Sequence, residues 1–135
     1  MIIRNLAIVA FLASPIALSL GSLYSALANP GLVKSAVVAW VLVALALVIV
    51  GLNLYVAFVR PALYARRHGG SLQGYARVSG LPVVASIFVT LAVMLAWGQI
   101  WITCASLLVL FSDTGGVVCL LAVLSRDASF WRDHA

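Results

Sequence analysis

Residues 35–59 read SAVVAWVLVALALVIVGLNLYVAFV, a run in which Val, Leu, Ile and Ala dominate and Asn53 is the one strongly polar side chain. An α-helix rises about 1.5 Å per residue, so about 20 mostly apolar residues cross the roughly 30 Å hydrocarbon core of a bilayer. This run is long enough to do so, and Pro61 just beyond it is expected to end the helix, because proline lacks the N–H that would continue the ladder.

Working outward, the same criterion gives three more spans, at about residues 6–27, 81–97 and 101–124. Asn29-Pro30-Gly31 supplies a turn after the first, and Gly98-Gln99 separates the last two. Between the second and third spans, residues 60–79 carry Arg60, Arg66, Arg67, His68, Gln73 and Arg77, with Tyr64 and Tyr75 near the two ends. This stretch reads as a polar loop with interfacial aromatics. The expected architecture is a single all-α domain, residues 1–135, folded as a polytopic four-transmembrane-helix bundle.

Composition agrees. The chain is 65% hydrophobic and 8% charged, with a mean hydropathy of +1.21. Ordinary soluble domains carry about 25% charged residues, and a soluble globule of this size would leave much of this apolar surface in water. The net charge of +5 does not point to nucleic acid, since the basic residues flank the apolar runs and form no stripe. They read instead as a topology signal. Four spans put Arg4, Arg60, Arg66, Arg67, Arg77, Arg126 and Arg132 on one side and Lys34 alone on the other. By the positive-inside rule, both termini and the 60–79 loop face the cytoplasm and the two tight turns face outward. Trp97 and Trp101 then flank one outer turn and Tyr24 the other.

One alternative stays open at the N-terminus. Arg4, an apolar run and Ala26-Leu27-Ala28 before Asn29 match a secretory signal with an A-x-A cleavage site, although the run is longer than a usual signal core.

Within the spans, Ala13, Ala17, Gly21 and Ser25 recur at four-residue spacing, a helix-packing face of the small-xxx-small kind. Ser86, Thr90 and Gly98 in the third span and Ser112 and Gly116 in the fourth extend the pattern. Asp113 stands out, because a carboxylate in the middle of a span costs about 2.5–3.5 kcal/mol on insertion scales. Its setting, Ser112-Asp113-Thr114-Gly115-Gly116, reads as a helix interruption followed by an N-cap, which would divide the fourth span into two half-helices. Asn53 is the expected hydrogen-bond partner. Asp113, Asn53, Ser112 and Thr114 are therefore the candidate intramembrane polar site, with three readings: a structural cap, a contact for a partner's basic group, or a proton- or ion-coupled site.

No catalytic set is evident. Neither His68 nor His134 has a neighbouring carboxylate or nucleophile set that would suggest catalysis, and Gly69-Gly70-Ser71 lacks the Lys of a phosphate-binding loop. Cys104 and Cys119 would lie about 22 Å apart on one continuous helix, too far to pair, and no Cys or His spacing suggests a metal. The expectation is a non-enzymatic protein with no cofactor and no metal. The basic cluster Arg60, Arg66, Arg67 and Arg77 is read as a topology signal beside anionic headgroups.

The layout of Asn53 late in span two, an Arg-rich loop, Ser79-Gly80-Leu81-Pro82 opening span three and Asp113-Thr114-Gly115 inside span four resembles small four-span inner-membrane proteins of proteobacteria. Some of these look like immunity proteins encoded beside secreted antibacterial toxins. The resemblance covers roughly residues 53–124 and implies a bacterial inner-membrane location and a toxin as protein partner, with no catalytic residue. An accessory subunit of a larger membrane complex, a proton-coupled small transporter and homo-oligomerisation are compatible alternatives. Small multidrug transporters share the size and span number, but their functional glutamate sits in the first span, where this chain has no acidic residue.

Overall fold

The computed structural model describes residues 2–29, 36–71, 73–76, 80–81 and 83–126, with side chains from Asn5 onward. Lys34, Arg77, Ser79, Pro82 and Arg132 lie outside the described residues, as does the side chain of Arg4. Every regular element among the described residues is helical: α1 (Ile2–Ala28), α2 (Val37–Leu54), a π-helical turn (Tyr55–Val59), α3 (Arg60–Arg67), α4 (Val84–Leu95), α5 (Ile100–Ser112) and α6 (Val117–Arg126). Two helical stretches, residues 5–28 and 37–67, are long and apolar enough to cross a membrane. A third exists if α5 and α6, bent by 45° at their junction, form one broken span. At 12 residues, α4 is apolar but shorter than the run that contains it.

Proline is absorbed twice without breaking a helix. Pro15 sits inside α1 and cannot donate to the carbonyl of Phe11, but Ser14 Oγ donates to that carbonyl at 2.7 Å. Ser19 Oγ in turn donates to the carbonyl of Pro15 at 2.8 Å. Pro61 does not end the second helix, contrary to the sequence-based expectation. The backbone widens into the π-helical turn just before it, with the Arg60 N–H bonding back to the Tyr55 carbonyl, and this makes room for the ring. The helix runs on to Arg67, so the first part of the expected 60–79 loop is rod, not loop.

The α4–α5 hairpin sits between α1 and α2, and each of its helices packs on both. Ala39, Val43, Ala46 and Val50 of α2 meet Ala85, Val89, Ala92 and Ala96 of the α4 segment, with Ile102, Val109 and Leu110 of α5 closing the interior. Small residues in alternate positions let the backbones approach, which is how helices associate where lipid removes the hydrophobic drive between them. The large side chains point out: Phe11, Trp40, Leu47, Leu108 and Phe111 are all exposed. Tyr24 and Trp101, each about three-quarters exposed, lie at the Gly98 end of the hairpin with Trp97 and Trp40.

Candidate functional site: a polar clamp at the broken helix

At the other end of the hairpin, α5 stops at Ser112 and α6 starts at Val117, so the interruption expected at Asp113–Gly116 is present. Breaking a helix leaves N–H and C=O groups open, and each costs several kcal/mol in lipid if unpaired. The chain answers them locally. The Asp113 N–H still bonds to the Val109 carbonyl at 3.1 Å, and the Gly116 N–H bonds to the Asp113 carbonyl at 3.1 Å. The Gly115 N–H donates to Asp113 Oδ1 at 3.1 Å, and the Gly115 carbonyl accepts from the Val83 N–H at 3.2 Å. Asp113 therefore caps the turn rather than the N-terminus of α6. The Val117 N–H instead faces Ser86 Oγ at 3.5 Å, across from α4.

Asn53 of α2 ties this turn to the entrance of α4. Its Nδ2 donates to Asp113 Oδ1 at 2.7 Å and to the Leu81 carbonyl at 3.3 Å, while its Oδ1 accepts from the Leu81 N–H at 2.8 Å. One amide side chain thus mimics a strand edge toward Leu81 and clamps a carboxylate from α5. Both side chains are buried, each 3% exposed. The clamp demands glycine on either side: a Cβ at Gly80 would overlap Asn53 Oδ1, and one at Gly116 would come within 2.8 Å of Asp113 Oδ2. Val83 follows in the left-handed region at φ 67°, a conformation β-branched residues avoid, held there by its bond to Gly115.

The structure thus brings Asn53 and Asp113 together. Ser112 is exposed, and Thr114 is half-buried beside a cavity of about 140 Å³ that Asn53, Val56, Gly80 and Gly115 also line. Chemically, the Asn53 amide is saturated, whereas Asp113 Oδ2 is buried with no hydrogen-bond partner.

The packing face of α1 is rotated from the one read in sequence. Ala13, Gly21 and Ser25 are half-buried and Ala17 is exposed, whereas Leu12, Pro15, Ser19, Ser22 and Ala26 form the buried row. A strict four-residue repeat advances about 40° per step around a helix of 3.6 residues per turn, so it drifts off the interface. Alternating three- and four-residue steps, as in the buried row, stay on it. Gly21 and Ser25 still matter at the far end, where a Cβ at Gly21 would lie 3.2 Å from the Trp97 ring and one at Gly98 3.4 Å from Ser25 Oγ.

Sequence reasoning missed the knot made there by Ser22 and Thr103. The Gly98 N–H donates to Ser22 Oγ at 3.0 Å, and Ser22 Oγ lies 2.9 Å from Thr103 Oγ1, which donates to the Gln99 carbonyl at 2.9 Å. The hydroxyl direction follows: Ser22 donates to Thr103. The available signal was the Ser19-x-x-Ser22-x-x-x-Ala26 spacing. Of the basic cluster, Arg60 and Arg67 line one cavity, Arg66 is exposed, and Arg77 lies outside the described residues.

No protein-family model matches the chain, and neither a curated protein nor a solved structure shows detectable similarity to it.

Proposed function

We propose that the chain is a four-span inner-membrane protein, with both termini cytoplasmic, that acts by binding another protein rather than by catalysis. The observation that carries this reading is the direction of its intramembrane polar groups. Asn53 is spent wholly on Leu81 and Asp113, Asp113 Oδ1 takes two donors from its own chain, and Ser22 and Thr103 are spent on the Gly98 turn. Polarity used this way fixes the shape of a bundle, and a fixed shape with an outward apolar surface is what a membrane partner recognises. The most concrete form of the reading is an immunity protein that neutralises a toxin acting at the membrane, and it rests on the resemblance of layout. Counting α4 with its flanking apolar residues, and α5 with α6, as one span each gives the four crossings.

Photo-crosslinking in native membranes followed by purification tests it. A specific protein adduct, and protection of cells from a toxin encoded nearby, are the expected outcomes. Recovery of an inert homodimer alone would sink the reading and the accessory-subunit alternative with it.

One observation favours a second reading. Asp113 Oδ2, buried and without a donor, is an acceptor open to a proton or cation. If the chain couples proton movement to transport, Asp113→Asn will abolish a pH-driven flux in liposomes while leaving folding and partner binding intact.

A further inference from the structure

Beyond the clamp, the rod α2–α3 and the segment 73–76 border a half-open cavity of about 400 Å³ whose lining includes Arg60, Tyr64, Arg67, His68 and Tyr75. We infer that this cavity is a built site for a phosphate-bearing anion, supplied either by the headgroup of an anionic phospholipid or by a soluble phosphate. The inference does not depend on the binding-protein reading above.

Four observations carry it. First, one of the two cations is prearranged: the Arg60 guanidinium lies 5.7 Å from the centre of the Tyr75 ring, a cation–π distance that holds the side chain while leaving its N–H fork free. Second, the walls are held in place. The Tyr64 ring stacks on His68 at 4.0 Å and meets Tyr75 at 5.2 Å, and the Tyr64 hydroxyl donates to the Gln73 carbonyl at 2.9 Å, pinning the loop over the rod. His68 Nδ1 donates to the Tyr64 carbonyl at 3.0 Å, which fixes the ring's orientation.

Third, the Tyr75 hydroxyl is buried with no hydrogen-bond partner. A buried O–H is costly to leave unpaired, and this one has no acceptor among the described residues; a shift of the cavity wall that opened it would give a bound anion one more donor. Fourth, no carboxylate lines the cavity among the described residues. The chain has three acidic residues, and Asp113 is engaged in the clamp while Asp127 and Asp133 lie outside the described residues. Two guanidinium groups on one cavity, with no counter-anion among the described residues, suit an anion whose oxygens accept from several directions, as those of a phosphate do. Tyr55 and Leu63, both exposed, form an apolar rim where a glycerol backbone and chain roots would lie. The site also abuts the π-helical turn that starts at Tyr55, and such turns recur at functional sites.

The test is native mass spectrometry of the full chain, released from nanodiscs of phosphatidylglycerol or of phosphatidylcholine, with and without inorganic phosphate. Retention of one phosphatidylglycerol in preference to phosphatidylcholine, undiminished by phosphate, assigns the site to a lipid headgroup. Displacement of that lipid by phosphate, or a phosphate adduct alone, assigns it to the free anion. Arg60→Gln should weaken either ligand roughly tenfold or more, the loss expected for one charge-assisted hydrogen bond. Tyr75→Phe keeps the ring under Arg60 and should weaken binding about threefold to tenfold. Arg66→Gln, outside the cavity, should change nothing. Equal retention of both lipids with no phosphate adduct would overturn the inference. So would an Arg66→Gln loss equal to that of Arg60→Gln, which would mean diffuse charge rather than a site.

Discussion

Replacing Asn53 probes the clamp most directly. Its three hydrogen bonds reach two backbone groups of Leu81 and one carboxylate oxygen. Hydrogen bonds between membrane helices average about 0.6 kcal/mol in double-mutant cycles, so three of them set a floor of about 2 kcal/mol. Asp113 Oδ1 retains the Gly115 N–H, but the Leu81 N–H and carbonyl lose a partner, and a buried orphan costs about 1–3 kcal/mol. Part of that is recovered because Leu81 is half-exposed and its backbone can find other partners. The expected loss for Asn53→Leu, which keeps most of the volume, is therefore about 2–4 kcal/mol, at least a tenfold shift in the folding equilibrium. Reversible unfolding in mixed micelles, followed by circular dichroism, measures it. The cycle of Asn53→Leu with Asp113→Ala should show a coupling of about 0.6–1.7 kcal/mol. A variant within about 0.5 kcal/mol of the parent, additive with Asp113→Ala, would refute the clamp as a stabilising device.

The other predictions use the same unfolding assay, except the last. Gly116→Ala and Gly80→Ala should each cost about 1–3 kcal/mol by forcing a methyl into the clamp, whereas Gly51→Ala, with open space around its Cβ, should be neutral or stabilise by about 0.5–1 kcal/mol. Ser22→Ala should cost more than Ser25→Ala, since Ser22 holds the Gly98 N–H; the reverse order would restore the face read from four-residue spacing. Asp113→Asn should be nearly silent for stability, because the amide oxygen keeps both donors now on Oδ1, while Asp113→Leu should lose about 1–3 kcal/mol by leaving Asn53 Nδ2 and the Gly115 N–H without that acceptor. For topology, Cys104 and Cys119 are both exposed and must first be changed to Ser; single cysteines at Gly31 or Gln99 should then label from outside, and those at Gly70 or Ala135 should not. Labelling at Gly70 in intact cells would reverse the orientation.

What could be read from sequence followed from hydropathy and from residues that are costly in lipid. The apolar runs gave the helices, and the expense of Asp113 and Asn53 singled out the two side chains that bond at 2.7 Å. What could not be read depended on backbone adjustment or on pairing across the chain. Nothing in the composition around Pro61 announces that a π-helical turn will carry the helix past it, since that solution depends on the backbone widening over residues 55–59. The tilt of the α1 face from Ala17 to Ser19 and Ser22 was hidden because small residues occupy both rows, and only the position of the Gly98 turn selects between them. Gly80 and Gly116 looked like ordinary turn glycines until their neighbours were known.

The two polar knots have one physical cause. The hairpin helices α4 and α5, of 12 and 13 residues, are each about 18–20 Å long. That is well short of the roughly 30 Å of hydrocarbon. α1, at 27 residues, is longer than either hairpin helix, and the 31-residue rod runs past the hairpin at the Asn53 end. A short hairpin held between long helices packs parts of its turn and open ends, with their unpaired backbone groups, against protein where water is excluded. Irregular backbone survives there only if protein covers it. Ser22 and Thr103 do this for the Gly98 turn, and Asn53 with Asp113 does it for Leu81 and Gly115. The polar residues of the two knots are therefore required by the breaks in the hairpin's backbone before any function is asked of them. That requirement accounts for the whole of Asn53 and for one oxygen of Asp113, leaving Oδ2 as the single buried acceptor in the clamp that the architecture does not explain.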